Sequence, residues 1–140
     1  FTPRLSTRVL PAAFHSHSPL HFGSLQVMPF KVMHHVPCYG FLFEEWGKKV
    51  AYYSDSSQEF SEFHIRLLAE VDMAIFHTPT FEQVGHHISV QELLNLLQRY
   101  PTRRPVITHI NHHNRRHDEL VQALAPHNVL VAYDGLELEI

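Results

Sequence analysis

Apolar and polar positions along the chain fall into blocks that predict strands followed by alternating helices and strands. An extended run covers Leu25 to Phe30, and two runs rich in aromatic residues, Tyr39 to Glu45 and Val50 to Tyr53, flank the turn Trp46-Gly47-Lys48-Lys49. Two β-type runs on either side of a glycine-containing turn are typical of a hairpin. The first part of the chain is therefore predicted to be mainly β-structure.

After Tyr53 the spacing of apolar positions becomes helical. Ser57 or Ser61 is the candidate N-cap of the first helix, and its apolar positions recur three to four residues apart: Phe60, Phe63, Leu67 and Leu68. A second helix is predicted to begin after Ser89, with Glu92 as the partner in a capping box, and to end near Pro101. Both helices are therefore expected to have one apolar face.

The remaining segments continue the alternation of strands and helices. A third helix is predicted from Asp118 to Ala125, and four further runs predict strands: Val71 to Phe76, Pro105 to Ile110, Val129 to Tyr133 and Leu136 to Ile140. Strands that alternate with helices favour an α/β layer in which some strands are parallel.

The length and composition favour one globular domain. The chain has 140 residues, of which 44% are hydrophobic and 18% charged, and its net charge is -3. Such a chain can bury a core, and it lacks the basic excess that is typical of nucleic-acid binding. Residues 1–24 are predicted to be an irregular N-terminal segment and residues 25–140 to form the folded unit. Because the chain begins with Phe1, we expect a fragment, a processed product or a renumbered segment.

The cysteine count and the absence of long apolar runs restrict the compartment. Cys38 is the single cysteine, which excludes an internal disulfide framework and a cysteine-rich zinc site. No apolar run approaches the roughly 20 residues that a membrane span needs, and no signal peptide is visible. We therefore expect a cytoplasmic protein that does not associate with membranes.

Polar side chains occur where three predicted strands end. Asp55 follows one strand, His77 follows the next and His109 ends the third, while His86 and His87 lie in the loop between the second and third. Ligands of α/β sheets bind beyond the carboxyl ends of strands, and imidazole with carboxylate suits zinc, manganese or iron. Each residue alone is more often a turn, cap or hydrogen-bonded rim residue. Their joint placement favours a metal site.

The other histidines have weaker claims to a metal. His15-Ser16-His17 has the HxH pattern, but Pro19 and Leu20 stand where a two-metal site needs an acid, so the triplet is disfavoured. Four further histidines are predicted to be surface or helix-start residues: His112, His113, His117 and His127.

Three segments resemble the C-terminal half of the metallo-β-lactamase superfamily: Tyr53-Ser54-Asp55-Ser56, Gly85-His86-His87-Ile88-Ser89 and Thr108-His109-Ile110-Asn111-His112. The similarity is greatest to the clade of ribonuclease Z and the phosphonate-pathway cyclic phosphodiesterase, and extends to pyrroloquinoline quinone biosynthesis protein B. The ending, Val131 to Glu139, resembles the closing strands of the latter two. The resemblance covers residues 23–140 and implies that residues 25–140 form the βα half-domain at the C-terminal side of an αββα sandwich.

The resemblance also implies roles for three residues. Asp55 takes the place of the aspartate that bridges two metals, and His109 that of a ligand of the second metal. His87, 22 residues before His109, takes the place of the general acid. The implied cofactor is two divalent metal ions. Zinc is the preferred metal, with manganese or iron as alternatives. The implied function is hydrolysis of a small or cyclic phosphodiester by a hydroxide that both metals activate, with His87 giving a proton to the leaving alkoxide.

Two segments near these residues bear on the substrate. His77-Thr78-Pro79-Thr80 resembles the His-Glu-Ala-Thr element of ribonuclease Z, but Thr78 stands in place of the glutamate. This departure disfavours tRNA and favours a smaller substrate. The segment from His35 to Gly40 resembles a strand entry that lines the substrate side, which makes His35 a candidate substrate contact.

The HxHxDH motif and the further histidine of the superfamily are not found in this sequence. Asp55 and His109 alone cannot hold two metals, since a catalytic zinc takes three protein ligands. We therefore expect the site to need an N-terminal half or a second chain, with a homodimer as one such arrangement. Two alternatives remain open: a non-catalytic partner-binding fragment or pseudoenzyme, and an ester, thioester or lactone hydrolase or cofactor-biosynthesis protein of the same superfamily.

Overall fold

The computed structural model describes residues 13–140, which form one mixed sheet and three helices. The strands are β1 (Leu20–Phe22), β2 (Leu25–Val32), β3 (Cys38–Glu45), β4 (Lys48–Tyr53), β5 (Met73–His77), β6 (Pro105–Thr108) and β7 (Leu130–Val131). The helices are α1 (Glu62–Glu70), α2 (Val90–Arg99) and α3 (His117–Leu124), and a 3-10 turn follows at Ala125–His127.

The seven strands lie side by side in chain order. Strands β1 to β4 pair antiparallel, whereas β4 to β7 pair parallel. Each parallel connection contains one of the helices, which is the usual way to return a chain to the same end of a sheet. The predicted α/β class is therefore confirmed.

The β3–β4 hairpin is tighter than predicted. Trp46 and Gly47 both have a positive φ, of 49° and 77°, as a two-residue type I′ turn requires. Lys48 and Lys49 were expected in the turn. They instead begin β4 and pair with Glu45 and Glu44 of β3.

Capping boxes define the starts of α1 and α2. The Ser61 hydroxyl accepts from the His64 backbone N–H, and His64 Nδ1 accepts from the Ser61 N–H at 3.1 Å, so Ser61 and not Ser57 is the cap of α1. At α2, the Ser89 hydroxyl accepts from Glu92 N at 3.2 Å and Glu92 Oε2 accepts from Ser89 N at 2.9 Å. The capping box predicted at α2 is confirmed.

The core lies on one face of the sheet. Alternate strand residues on this face, among them Phe30, Tyr53 and Phe76, are wholly buried against Leu68 of α1 and the apolar faces of the other helices. The rings of Tyr53 and Phe76 stack with centroids 5.0 Å apart. All three helices therefore cover the same face.

The C-terminal tail crosses the opposite face of the sheet. The predicted strand from Leu136 to Ile140 is wrong, because no strand is formed there. A turn in which Leu136 N–H donates to the Tyr133 carbonyl directs the chain away from β7. Leu136, Leu138 and Ile140 instead line a groove with Val50, Met73 and Val106. The tail therefore partly covers an apolar face that none of the helices in residues 13–140 covers.

Three further boundaries differ from prediction. β1 lies in residues 1–24, the segment expected to be irregular. Residues 1–12 of that segment are outside the described part of the chain. β6 ends at Thr108, because His109 has a left-handed φ of 61° that leaves the strand. β7 has two residues in place of the run Val129 to Tyr133. Within residues 13–140, none of the helices has the length and apolar character needed to cross a membrane.

Candidate metal centre

One edge of the sheet collects the polar residues that follow the strands. Asp55 lies two residues after β4, His77 ends β5 and His109 follows β6 directly. Because these strands are parallel, their carboxyl ends meet at the same edge. Strand β2 runs in the direction of β4 through two antiparallel pairings, so His34, two residues after β2, lies at this edge as well.

The Asp55 carboxylate is the centre of the cluster. Its Oδ1 atom lies 3.1 Å from His77 Nδ1, 3.7 Å from His87 Nδ1 and 3.8 Å from His109 Nε2. Two groups have ligand atoms within 4.8 Å of one another: His34 with Asp55 and His87, and Asp55 with His77 and His109. Asp55 belongs to both groups, so its carboxylate is placed where it could contribute a ligand atom to each of them.

Backbone hydrogen bonds join the loops that carry these side chains. Ser57 N–H donates to the Met33 carbonyl at 2.6 Å, which joins the loop of Asp55 to the loop of His34. Ile88 N–H donates to the Ser56 carbonyl at 2.8 Å, which joins the His87 loop to the same segment. These main-chain contacts hold the three loops that carry the side chains next to one another.

His109 is placed by an unusual backbone conformation. Its φ of 61° lies in the left-handed region that residues with a Cβ seldom adopt. The ring stacks on that of His77 with centroids 4.7 Å apart and planes within 1°. Such conformations are concentrated at functional sites, where surrounding contacts maintain them.

Burial and hydrogen bonding set the protonation of the cluster. Burial alone would raise the pKa of Asp55, but the hydrogen bond from His77 and the nearby imidazoles outweigh it and lower that pKa. Burial lowers the pKa of His77 and of His87, although Asp55 opposes the shift in both. Burial, and then the Asp55 charge, raise the pKa of Tyr52. The arrangement therefore favours an ionised carboxylate beside neutral imidazoles, which is the state that binds metals.

The ligand atoms left free by the protein fit a divalent metal. Among the described residues, Nδ1 of His34 and Nδ1 of His87 are buried without a hydrogen-bond partner. In contrast, both ring nitrogens of His77 are engaged, by Tyr52 and Asp55. Buried polar atoms without partners are uncommon and call for a ligand. Free imidazole nitrogens around a carboxylate form a donor set suited to zinc, manganese or iron.

The structure brings together Asp55, His87 and His109. Asp55 and His109 follow strands, as the sequence predicted, and His87 reaches them from the loop between β5 and α2. His86 is exposed and its ring lies 5.3 Å from that of His35, which is also exposed, so neither contacts Asp55. His17 packs edge-on against Phe63 and, like His15, belongs to neither ligand group. The histidines predicted to be on the surface are exposed: His112, His113, His117 and His127.

Sequence analysis missed His34. The resemblance singled out its neighbour His35, which is exposed. An antiparallel pairing of the run Leu25 to Phe30 with the hairpin places the end of that run at the edge where Asp55 lies, but the run alone does not specify that pairing. His77 was identified as a strand-end residue, but its bond to Tyr52 depends on the register between β4 and β5.

Comparisons with known proteins place these observations in a family context. A family model described as the beta-lactamase superfamily domain matches residues 4–110. Similar solved structures include a diphosphatase of the PhnP family, with a TM-score of 0.76, 21% identity and coverage of 90% of this chain and 47% of that chain. Zinc-bound PqqB from Methylobacterium extorquens has a TM-score of 0.75, 20% identity and coverage of 91% and 51%.

The short form of human tRNase Z is also similar, with a TM-score of 0.63, 21% identity and coverage of 86% of this chain and 45% of that chain. The chain thus spans about half the length of these structures. At these identities the likeness shows a shared fold. No curated protein sequence matches the chain.

Proposed function

Because this chain belongs to the metallo-β-lactamase superfamily, we propose that it supplies half of a metal-dependent hydrolase site that acts on a phosphodiester. The family match confirms the resemblance seen in the sequence. The observation that carries the proposal is the convergence of Asp55, His34, His87 and His109 from four separate segments on one edge of the sheet.

Asp55, His34 and His109 are the proposed metal ligands. Asp55 shares one ligand group with His34 and the other with His109, but the two histidines share none. Neither pair reaches the three protein ligands that a catalytic zinc takes. If Asp55 bridges two ions, those ions need further ligands beyond this set. A divalent metal held by these residues, with zinc the first choice, would polarise a phosphoryl oxygen and lower the pKa of a bound water.

His87 is the proposed proton donor. Its ring lies 4.8 Å from that of His34 and 6.3 Å from that of His109, measured between centroids. It sits on a loop and not at a strand end, so its side chain enters the cluster from the side of the β5–α2 connection. When protonated, an imidazole at this position can give a proton to a leaving alkoxide. Because burial lowers the pKa of His87, this protonated form is favoured at more acidic pH.

A small or cyclic phosphodiester is the proposed substrate. A diphosphatase is among the similar structures, which supports phosphoryl chemistry. tRNase Z is similar as well, but Thr78 stands where the ribonuclease Z element has a glutamate. Its side chain is wholly buried, and its Oγ1 has no hydrogen-bond partner among the described residues. A threonine there offers no carboxylate to orient His87, so tRNA remains disfavoured.

The proposed site is completed by residues outside this sequence. The solved structures of the same fold are about twice as long as the chain, and one face of its sheet has an apolar groove covered by no helix. An N-terminal half or a second chain that packs on this face would contribute the remaining ligands. Two copies of the chain in a homodimer are one such arrangement.

Metal content and phosphodiesterase activity of the full-length protein test the proposal. Asp55→Ala and His109→Ala are expected to lose bound metal and turnover of bis-p-nitrophenyl phosphate, whereas His127→Ala, in an exposed turn, keeps both. Metal content and turnover in the Asp55 and His109 variants equal to those of the wild type would overturn the proposal. A wild-type protein with neither bound metal nor turnover would favour a non-catalytic partner-binding role.

Hydrolysis of another bond type is the second candidate. An isothiocyanate hydrolase is among the similar structures, with a TM-score of 0.66 and 16% identity, so the fold also supports attack on carbon. A panel of phosphodiester, ester, thioester, lactone and isothiocyanate substrates separates the two. Activity that depends on Asp55 and acts only on carbon centres would replace the phosphodiester proposal.

A further inference from the structure

Tyr52, His77 and Asp55 form a continuous hydrogen-bonded chain across the edge of the sheet. The Tyr52 hydroxyl lies 2.5 Å from His77 Nε2, and His77 Nδ1 lies 3.1 Å from Asp55 Oδ1. The parallel register pairs Tyr52 with Ile75, so the tyrosine ring lies on the same face as His77, two residues further along β5. The two rings meet edge to face, with centroids 5.1 Å apart.

The order of donors along this chain follows from what each group can offer. An ionised Asp55 carboxylate only accepts hydrogen bonds, so His77 Nδ1 must carry a proton. A neutral imidazole has one N–H, which leaves Nε2 as an acceptor. The Tyr52 hydroxyl supplies the matching donor. One tautomer of His77 thus satisfies both of its contacts. The reverse tautomer could still donate from Nε2 to the Tyr52 oxygen, but it would lose the hydrogen bond to Asp55.

We propose that His77, held by Tyr52, is a positioning residue that fixes the orientation of the Asp55 carboxylate toward the metal. This inference rests on the proposed function, in which Asp55 is a ligand. His77 is well placed for such a role, because its side chain is only 12% exposed whereas that of Asp55 is 37% exposed. A half-exposed carboxylate has several accessible rotamers, and a bond to a buried ring selects one of them.

His77 acts on His109 through the same ring. The two imidazoles stack in parallel at 4.7 Å, so a ring held at both nitrogens also provides a fixed surface for the more exposed His109. Tyr52 therefore stabilises the orientation of two proposed ligands without contact to the metal. Residues that hold ligands in this way typically change metal affinity by about 10- to 100-fold when replaced.

Direct ligation by His77 is the competing role, since it belongs to one of the two ligand groups. Both of its nitrogens already have partners, so ligation would break the bond to Tyr52 or the bond to Asp55. The two roles differ in what a conservative replacement does. An asparagine at this position keeps a donor near the place of Nδ1 but cannot replace a metal-binding imidazole.

Nitrogen NMR of the metal-free, full-length protein tests the hydrogen-bonded chain itself. With ¹⁵N-labelled histidine and the His77 signals assigned by loss in His77→Asn, we expect the tautomer protonated at Nδ1 at mildly alkaline pH. In Tyr52→Phe the Nε2 resonance should move toward that of an imidazole nitrogen without a donor, while Tyr133→Phe, an exposed tyrosine, leaves it unchanged. A His77 protonated at Nε2 would overturn the proposal.

Zinc affinity, measured by competition with a chelator, tests the consequence. Tyr52→Phe and His77→Leu are expected to raise the dissociation constant by about 10- to 100-fold, and His77→Asn should restore most of the wild-type affinity. Zinc affinity equal to that of the wild type in Tyr52→Phe and His77→Leu would overturn the positioning role. Failure of His77→Asn to restore the zinc affinity would assign His77 as a ligand. Unaltered zinc binding in Asp55→Ala would instead refute the proposed function, while the tautomer measurement, made without metal, still decides the hydrogen-bonded chain.

Discussion

Nδ1 of His87 lies 3.7 Å from Oδ1 of Asp55 and has no hydrogen-bond partner within the described part of the chain. A nitrogen in this position suits either a metal ligand, since His87 shares a ligand group with His34 and Asp55, or a proton donor held beside the carboxylate. The two roles predict different consequences of its removal.

We predict that His87→Ala retains bound metal but loses turnover by about 10²- to 10⁴-fold, the usual contribution of general acid–base catalysis. The reason is that Asp55, His34 and His109 remain as ligands while the proton donor is gone. Metal analysis and kcat on bis-p-nitrophenyl phosphate measure the two effects separately. His86→Ala is the matched control, because it removes the adjacent but exposed imidazole. Loss of metal in His87→Ala would assign His87 as a ligand.

His34 is predicted to contribute to the metal site although the sequence did not single it out. His34→Ala removes an imidazole whose Nδ1 is buried without a partner, so we expect weaker zinc binding in a chelator competition. His35→Ala is the control, since its ring is exposed and outside both ligand groups. If the two variants bind zinc equally, His34 is not a ligand.

The fold was predictable where periodicity and turn chemistry are local. Alternation of apolar residues and the Trp46-Gly47 turn predicted the β3–β4 hairpin, and Ser89 with Glu92 predicted the start of α2. The tail was mispredicted because Leu136 to Ile140 alternates like a strand, yet a strand needs a neighbour with free backbone groups. The course of the tail across the sheet depends on contacts with residues distant in sequence, and no local sequence pattern indicates those contacts.

The candidate site was predictable to the extent that strand ends specify it. Parallel strands bring Asp55, His77 and His109 to one edge whatever the details of packing. The position of His34 required the direction of β2, which is known only once its pairing with β3 is known. The left-handed φ of His109 also has no signal in the sequence, because a histidine can adopt either that conformation or the ordinary one.

A contact between two loops is predicted to stabilise the region around the site. The guanidinium carbon of Arg115 lies 3.4 Å from the centroid of the Phe81 ring, and Asn114 Nδ2 donates to the Thr78 carbonyl at 2.8 Å. These contacts join the segment after His109 to the segment before His87. Arg115→Ala should lower the free energy of unfolding by about 0.5–1 kcal/mol, the range for exposed cation–π pairs.

Urea unfolding measures this change, and Arg115→Lys is the informative comparison. A lysine keeps the charge but loses the planar stacking on Phe81, so its effect should lie between those of the wild type and Arg115→Ala. Equal stability of all three proteins would show that the contact contributes nothing.

Stability is predicted to fall on acidification because of His64. Burial among aromatic residues lowers the pKa of His64 from its ordinary 6.5, with the bond to the Lys31 carbonyl acting in the opposite direction. The unfolded chain therefore takes up a proton near pH 6.5 that the folded chain takes up only at lower pH. The free energy of unfolding should be greatest above that value and should decrease as the pH falls toward the folded pKa, by at most about 1.4 kcal/mol per pH unit for one group.

Urea unfolding between mildly alkaline and mildly acidic pH measures this dependence. In His64→Gln the slope should be shallower, because glutamine does not titrate but can still serve as the partner of Ser61 in the capping box. Some slope should remain, since burial also lowers the pKa of His77 and of His87. His127→Gln, in the exposed 3-10 turn, should follow the wild-type curve. Parallel pH curves for the wild type and His64→Gln would contradict the assignment of this dependence to His64.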